Sequence, residues 1–288
     1  MTEILVRFVH ISDTHITRED DQPFRPEHYS ERMIGIIEAM RAKRSATPTA
    51  PTVLPRVASQ RLVEEVNRLP FPLDFVLHTG DIMTDPMPEE YDAARAIFSQ
   101  INAPVYYLAG NHDNLHGIQS FLSRNGVVHE PYDYTVEING VVLVCMDSAT
   151  HGTDHAGHFS QEQIDWLRNI CTADDSRPIV VGIHHPVLKF NMHFLDMLIT
   201  DNGEAVHEVL KLAGSRLRGV FSGHIHEEID IYQDGILYSF ASGPHMQSNL
   251  FPGVEEMGSF TAAPNPGFSV VTVTTTGTFI RRYNFVID

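Results

Sequence analysis

"YLAGNHDNLHG", residues 107–117, carries an apolar run that stops at Gly110 and is followed at once by Asn111, His112 and Asp113. Gly, Asn and Asp are common turn formers, so the stretch alone is compatible with a polar turn after a buried strand. Four other places repeat the pattern. "ISDTH" sets Asp13 and His15, "HTGD" sets Asp81, "GIHHP" sets His184 and His185, and "SGHIH" sets His224 and His226, each behind an apolar segment. Ligands of open α/β sheets gather at the carboxyl ends of strands. Five such ends therefore predict an α/β fold with one shared site along a sheet edge.

The intervening segments keep the same rhythm. "ILVRFVHI" (4–11), "LDFVLHTGD", "APVYYLAG" and "PIVVGIHHP" read as strands. Residues 57–69 place Leu62, Val63, Val66 and Leu69 on one helical face, and residues 89–101 do the same with Ala94, Ile97, Phe98 and Ile101. "YTVEINGVVLVCMD" predicts a hairpin turning at Asn139-Gly140, and "SQEQIDWLRNI" a helix with Ser160 and Gln163 as a capping box. Trp166, with Ile164 and Leu167, is expected in the core. Beyond residue 227 the chain turns to strands, with Asp234-Gly235 and Thr276-Gly277 as turns. This order predicts a single layered domain over residues 1–288 with a mixed, two-sheet core. Residues 17–56 break the rhythm with the amphipathic "YSERMIGIIEAMRAK" and the Pro/Thr/Ala-rich "SATPTAPTVLP". Long insertions of this kind are usually functional or disordered; a lid, a dimer contact and a disordered insertion all remain open, and with them homo-oligomerisation.

No apolar run approaches the roughly 20 residues of a membrane span, and the opening "MTEILVRFVHISDTH" lacks a secretory signal pattern, so a cytoplasmic protein without a membrane partner is expected. Two cysteines cannot build a disulfide framework, and Cys145 inside "VVLVCMD" reads as a small core residue. With 37 acidic and 20 basic residues the net charge is −17, which repels a nucleic-acid polymer unless bound cations reverse the sign locally. The 17 histidines make such cations plausible at the strand ends.

Carboxylates mixed with imidazoles suit Mn, Fe or Zn, whereas Mg or Ca sites are nearly all oxygen and structural zinc sites contain thiolates. Residues two apart at a strand end point the same way, so Asp13/His15 and His224/His226 can each serve one ion or two neighbours. Seven or more donors exceed what a single substrate-accessible ion requires. Two divalent ions, with one carboxylate between them, form the arrangement that activates water and clamps the oxygens of a phosphoryl displacement. Phosphoester hydrolysis is the reaction class this chemistry predicts.

In that order, "DTH", "GD", "GNHD", "HH" and "GHIH" over residues 13–226 resemble the calcineurin-like metallophosphoesterase family. "GNHDN", "GIHHP", "GHIHEE" and "PGFSVVTV" resemble its bacterial class III cyclic-nucleotide phosphodiesterases and glycerophosphodiesterases. The resemblance implies a four-layer α/β/β/α sandwich and attack on a small phosphodiester by a metal-bridging hydroxide. It implies Asp13, His15 and His226 at one metal, Asn111, His184 and His224 at the other, and Asp81 between them. His185 is the second choice to His184. His112 matches the histidine that contacts the phosphate and assists the leaving oxygen, with Asp113 orienting its ring, and Asn111 is expected to help the ions neutralise the developing charge. Val187 stands where that subgroup often has a second proline. The alternatives are a phosphomonoesterase of the same family and a non-catalytic scaffold using the metals as structure.

Other histidines have milder readings. His10 and His78 are expected in the core or behind the ligands. His151, His155 and His158 in "THGTDHAGHFS" are read as a polar connecting loop, with a third metal or pocket lining as the sharper reading. His116, His193 and His245 sit in loops and are read as surface residues, with contact to a substrate as the sharper reading. Asp147 is another strand-end carboxylate that the family does not use.

Overall fold

The computed structural model describes residues 2–17, 54–84, 86–122, 132–152, 155–192, 195–249, 259–262 and 266–287. The insertion expected at residues 17–56 lies outside the described residues, save residue 17 and residues 54–56. Along the chain, β1 (Ile4–Ile11) is followed by α1 (Pro55–Asn67), β2 (Phe75–His78), α2 (Pro88–Phe98) and β3 (Val105–Tyr107). Next come β4 (Tyr134–Ile138), β5 (Val141–Met146), α3 (Gln161–Thr172), β6 (Ile179–Ile183), α4 (Gly203–Lys211) and β7 (Leu217–Ser222). The last strands are β8 (Asp230–Gln233), β9 (Ile236–Phe240), β10 (Met246–Asn249), β11 (Ser259–Ala262), β12 (Gly267–Thr274) and β13 (Thr278–Asn284).

The helix starts follow local chemistry. Pro55 and Pro88 open α1 and α2, where a missing N–H costs nothing and the fixed φ suits the first turn. Ser160 and Gln163 form the predicted reciprocal capping box on α3. Asn139 and Gly140 have φ of 49° and 77°, and Asp234 and Gly235 have 50° and 84°, the paired positive values of the hairpin turns expected there.

Two mixed sheets result. The first has the order β13-β12-β1-β2-β3, with β1, β2 and β3 parallel and the C-terminal hairpin antiparallel to β1. The second has the order β4-β5-β6-β7-β9-β8, parallel through β5, β6, β7 and β9, with antiparallel strands at both edges. β10 and β11 form a separate ribbon. Strand residues alternate between faces. Val9 and Ile11 of β1 pack with α1 and α2, whereas Val6 and Phe8 join Phe75, Leu77, Leu143, Cys145, Val180 and Phe221 between the sheets. Val142, Val144 and Met146 of β5 face the other way, onto Ile164 and Leu167 of α3 and Val206, Val209 and Leu210 of α4. The layers are therefore α/β/β/α, as expected. Trp166 packs against the outer core, and both free cysteines are buried. Among the described residues, no helix is long and apolar enough to cross a membrane.

Candidate metal centre

Five loops supply the site, each leaving the carboxyl end of a parallel strand: β1, β2 and β3 of one sheet, β6 and β7 of the other. The first two run on together beyond their strands. Asp13 N–H donates to Gly80 O at 3.0 Å, His15 N–H to Asp81 O at 3.1 Å and Ile16 N–H to Ile82 O at 2.9 Å. Side chains then lock the loops to one another. The Asp13 carboxylate accepts the His224 N–H at 2.9 Å, and Asp81 Oδ1 accepts the His112 N–H at 3.0 Å.

The turns are sharp enough to force left-handed backbone on residues that disfavour it. Asp13, His15, Asp81, His224 and His226 have φ of 53°, 43°, 51°, 72° and 54°. Each such non-glycine residue carries a cost on the order of 1 kcal/mol. That cost falls on residues nominated as metal ligands, which turn their side chains into one hollow. Gly110 shows how closely the loops approach: a Cβ there would lie 2.1 Å from Asp81 Oδ1 and 2.7 Å from His184 Cε1. Gly110→Ala is thus expected to push Asp81 out of place, weaken metal uptake and cost about 1–3 kcal/mol of stability. Metal content and melting temperature of the variant check this; unchanged values for both would contradict it.

Into the hollow converge Asp13, His15, Asp81, His184, His185, His224 and His226, all buried, with His112 partly exposed at its edge. Donor atoms of Asp13, His15 and His226 lie within 4.8 Å of one another, as do those of His15, Asp81 and His112, of Asp13, Asp81 and His184, and of His184, His185 and His224. Asp81 stands in the middle: Oδ2 is 3.6 Å from His15 Nε2 and Oδ1 is 3.5 Å from His184 Nε2. His226 Nε2 is 3.6 Å from Asp13 Oδ1 and 3.1 Å from His15 Nε2. The Asn111 amide oxygen lies 3.3 Å from His184 Nε2.

Backbone carbonyls set the tautomers. His184 Nδ1–H donates to Thr79 O at 2.7 Å and His226 Nδ1–H to Met246 O at 3.3 Å, so in each ring Nε2 is the nitrogen aimed into the hollow. Burial holds the pKa of His15 and His224 well below the ordinary histidine value, and both ring nitrogens of His224 are buried without a hydrogen-bond partner among the described residues. A crowd of imidazoles and carboxylates is a donor set suited to divalent cations.

At His184, burial lowers the pKa but the Asp81 charge and hydrogen bond outweigh it, raising it to about 9. Asp81 is correspondingly held well below the carboxylate range, burial being outweighed by His184 and His112. A cation entering beside Asp81 must displace the proton on His184, so loading at pH 7.5 should release about one proton per chain, and affinity should rise with pH up to about 9. Titration calorimetry in buffers of different ionisation enthalpy measures the proton count. A buffer-independent heat would contradict the assignment.

Asp113 departs from its expected role. Its carboxylate accepts the N–H groups of Ile82 at 3.0 Å, Met83 at 3.2 Å and Gly110 at 2.9 Å, tying the Asp81 loop to the Asn111 loop. The His112 ring is instead directed by its Nδ1–H bond to Thr84 O at 2.8 Å. The physical reason is the tight turn at 110–113, which aims the carboxylate at unsatisfied N–H groups across the gap and the imidazole the other way.

The remaining histidines sort by contact. His10 Nε2 meets Thr79 Oγ1 and His78 Nε2 meets Thr14 Oγ1, both at 3.0 Å, and burial lowers both pKa values to about 3, so they are neutral supports behind the site. His185 binds Ser148 Oγ at 2.8 Å through Nδ1, and its ring centroid is 4.5 Å from that of His224. The loop cluster divides: His151 is exposed, His158 pairs with Asp201 at 2.6 Å, and His155 Nδ1 accepts the Asn111 amide N–H at 3.2 Å. The His245 ring comes within 5.9 Å of His15. Asp147 caps its own loop, accepting the N–H groups of Ala149 and Thr150. His193 and the side chain of His116 lie outside the described residues.

The sequence pattern of the calcineurin-like phosphoesterases matches residues 6–228. The chain belongs to the calcineurin-like phosphoesterase family. For this phosphoesterase, membership implies divalent metals, for which the clustered His and Asp side chains are the candidate donors. The 3',5'-cyclic adenosine monophosphate phosphodiesterase CpdA of Pseudomonas aeruginosa is 26% identical over 229 residues, covering 80% of this chain and 72% of its own. Glycerophosphodiester phosphodiesterase GpdQ of Enterobacter lignolyticus is 25% identical over 222 residues, covering 75% and 69%. The chain spans 56% of the length of another curated relative it matches. Among solved structures, a dimetal phosphatase of Danio rerio superposes with a TM-score of 0.56 at 14% identity, over 96% of this chain and 99% of that one, a likeness of fold.

Proposed function

We propose that this phosphoesterase is a binuclear, metal-dependent phosphodiesterase acting on a small phosphodiester, a cyclic nucleotide or a glycerophosphodiester. The observation that carries the reading is the central position of Asp81, whose two oxygens face His15 on one side and His184 on the other. Asp13, His15 and His226 would hold one ion, Asn111, His184 and His224 the second, and Asp81 both. Mn, Fe or Zn suits this donor set. When bound, the ions supply Lewis acidity toward the phosphoryl oxygens and lower the pKa of water to near neutrality.

The chain's own groups do the rest. His112, held through Nδ1 by the Thr84 carbonyl, presents Nε2 as its second proton-carrying atom. In its imidazolium form it would donate that proton to the departing alkoxide as a water-derived oxygen bonds to phosphorus and the ester P–O bond breaks, leaving a neutral imidazole, an alcohol and a phosphomonoester. Thr79 and Met246 keep the His184 and His226 rings from rotating through the reaction.

Two features favour a diester of modest size. Relatives named for cyclic-nucleotide and glycerophosphodiester cleavage align over most of the chain. A net charge of −17 opposes the approach of a long polyanion, whereas a single phosphodiester would be met by the bound cations themselves. The test is hydrolysis of an aryl phosphodiester and the matching monoester by protein stripped of metal and reloaded with Mn²⁺. Faster diester turnover supports the proposal; faster monoester turnover makes the protein a phosphomonoesterase.

A further inference from the structure

The loop between β5 and α3 contains three histidines, and one of them rests on a residue assigned above to the metal centre. We propose that His155 is a positioning residue that locks the Asn111 amide with its oxygen turned toward His184. The proposal rests on the reading of Asn111 as a ligand of the second ion.

A primary amide has two ends of nearly equal size and opposite chemistry. The oxygen can ligate a divalent cation, whereas the NH₂ group has no available lone pair and only donates hydrogen bonds. A half-turn about the terminal side-chain bond would therefore replace a ligand by two N–H groups facing the ion, and something must choose between the two poses. In the structure Asn111 Oδ1 lies 3.3 Å from His184 Nε2 and Nδ2 lies 3.2 Å from His155 Nδ1. Since Nδ2 can only donate, His155 Nδ1 is the acceptor. The flipped amide would set its oxygen against that same lone pair, so His155 in its Nε2–H tautomer selects one orientation.

A chooser must itself be held, and the loop's ends are. His158 N–H donates to Ser148 O at 3.0 Å, Gly152 N–H to Ala149 O at 3.0 Å, and Asp201 N–H to Gly157 O at 2.9 Å. Gly157 is pressed on the end of β6: a Cβ there would lie 2.8 Å from His185 Cβ. His151, exposed, and His158, paired with Asp201, behave as the polar loop residues that composition predicts. His155 differs from them in touching the centre.

His155→Leu removes the acceptor at similar volume, and His155→Gln restores one through its amide oxygen. Stripped wild-type and variant proteins are titrated with Mn²⁺ alone, by calorimetry and by metal analysis after gel filtration. Wild type should take up two equivalents. The leucine variant should keep the first at wild-type affinity and bind the second about 10–100-fold more weakly, while the glutamine variant recovers most of the loss. The Mn²⁺ concentration for half-maximal phosphodiester turnover should shift by the same factor. Two wild-type-like equivalents in the leucine variant would overturn the proposal. So would equal weakening of both equivalents with a lowered melting temperature, the mark of a merely structural role. If the leucine variant does not fold, His155→Ala against His155→Gln decides by the same criteria. Wild type that takes up fewer than two equivalents contradicts the two-ion reading itself, and the proposal falls with it before any substitution is made.

Discussion

His112→Ala is expected to lower kcat toward a phosphodiester by about 10²- to 10⁴-fold while both metal equivalents remain bound. The ring sits at the mouth of the hollow, 4.8 Å centroid to centroid from His15, and its Nδ1–H is committed to the Thr84 carbonyl. Its Nε2 is the atom proposed above to protonate the leaving group. The backbone N–H that steadies Asp81 survives in the alanine variant, so carboxylate geometry and metal content should hold. Replacing the aryl leaving group by an alkyl alcohol should magnify the loss, because a poorer leaving group depends more on protonation. Steady-state kinetics beside metal analysis checks both statements. Unchanged turnover at full metal content would remove His112 from the chemistry.

Asp81→Asn should have a larger effect, abolishing turnover by about 10³-fold or more, a barrier increase of roughly 4 kcal/mol, together with loss of at least one metal equivalent. The substitution keeps the shape and one oxygen, which can still accept the His112 N–H, so the stripped variant should fold. It removes the negative charge between His15 and His184. Two ions held close together repel each other, and an anionic carboxylate between them offsets that repulsion where a neutral amide does not. Loss of the charge also removes the main interaction that raises the His184 pKa, so proton release on loading should fall with it. A variant that keeps two ions and wild-type kcat would contradict the central role given to Asp81.

The fold was legible because its strands end in unusual chemistry. Apolar runs of four to eight residues closing on Gly, Asp, Asn or His identified β1, β2, β3 and β6, and the two-residue alternation of β1 and β5 is what separates the inter-sheet core from the outer cores. α4 escaped the reading: "GEAVHEVLK" is short, begins with glycine and has no side-chain cap. The partition of the C-terminal strands was equally hidden, since β8 and β9 complete the second sheet while β12 and β13 return to β1. No local pattern specifies which edge a hairpin joins.

At the site, residue types were legible and orientations were not. The acceptors that fix ring tautomers are the carbonyls of Thr79, Thr84 and Met246, and a backbone carbonyl leaves no mark in a sequence. This is why Asp113, adjacent to His112, looked like its orienting partner although it bonds three backbone N–H groups instead. It is also why His155 could not be told from His151 and His158. All three are loop histidines within eight residues, and only packing sets one of them against Asn111.

The most direct test of the account is diester turnover measured against metal bound per chain, as stripped protein is loaded stepwise with Mn²⁺. Turnover should be negligible without metal, small with the first equivalent, and rise to the full rate as the second fills. Full diester turnover in stripped protein, or at one bound equivalent with no further rise, would contradict a binuclear phosphodiesterase.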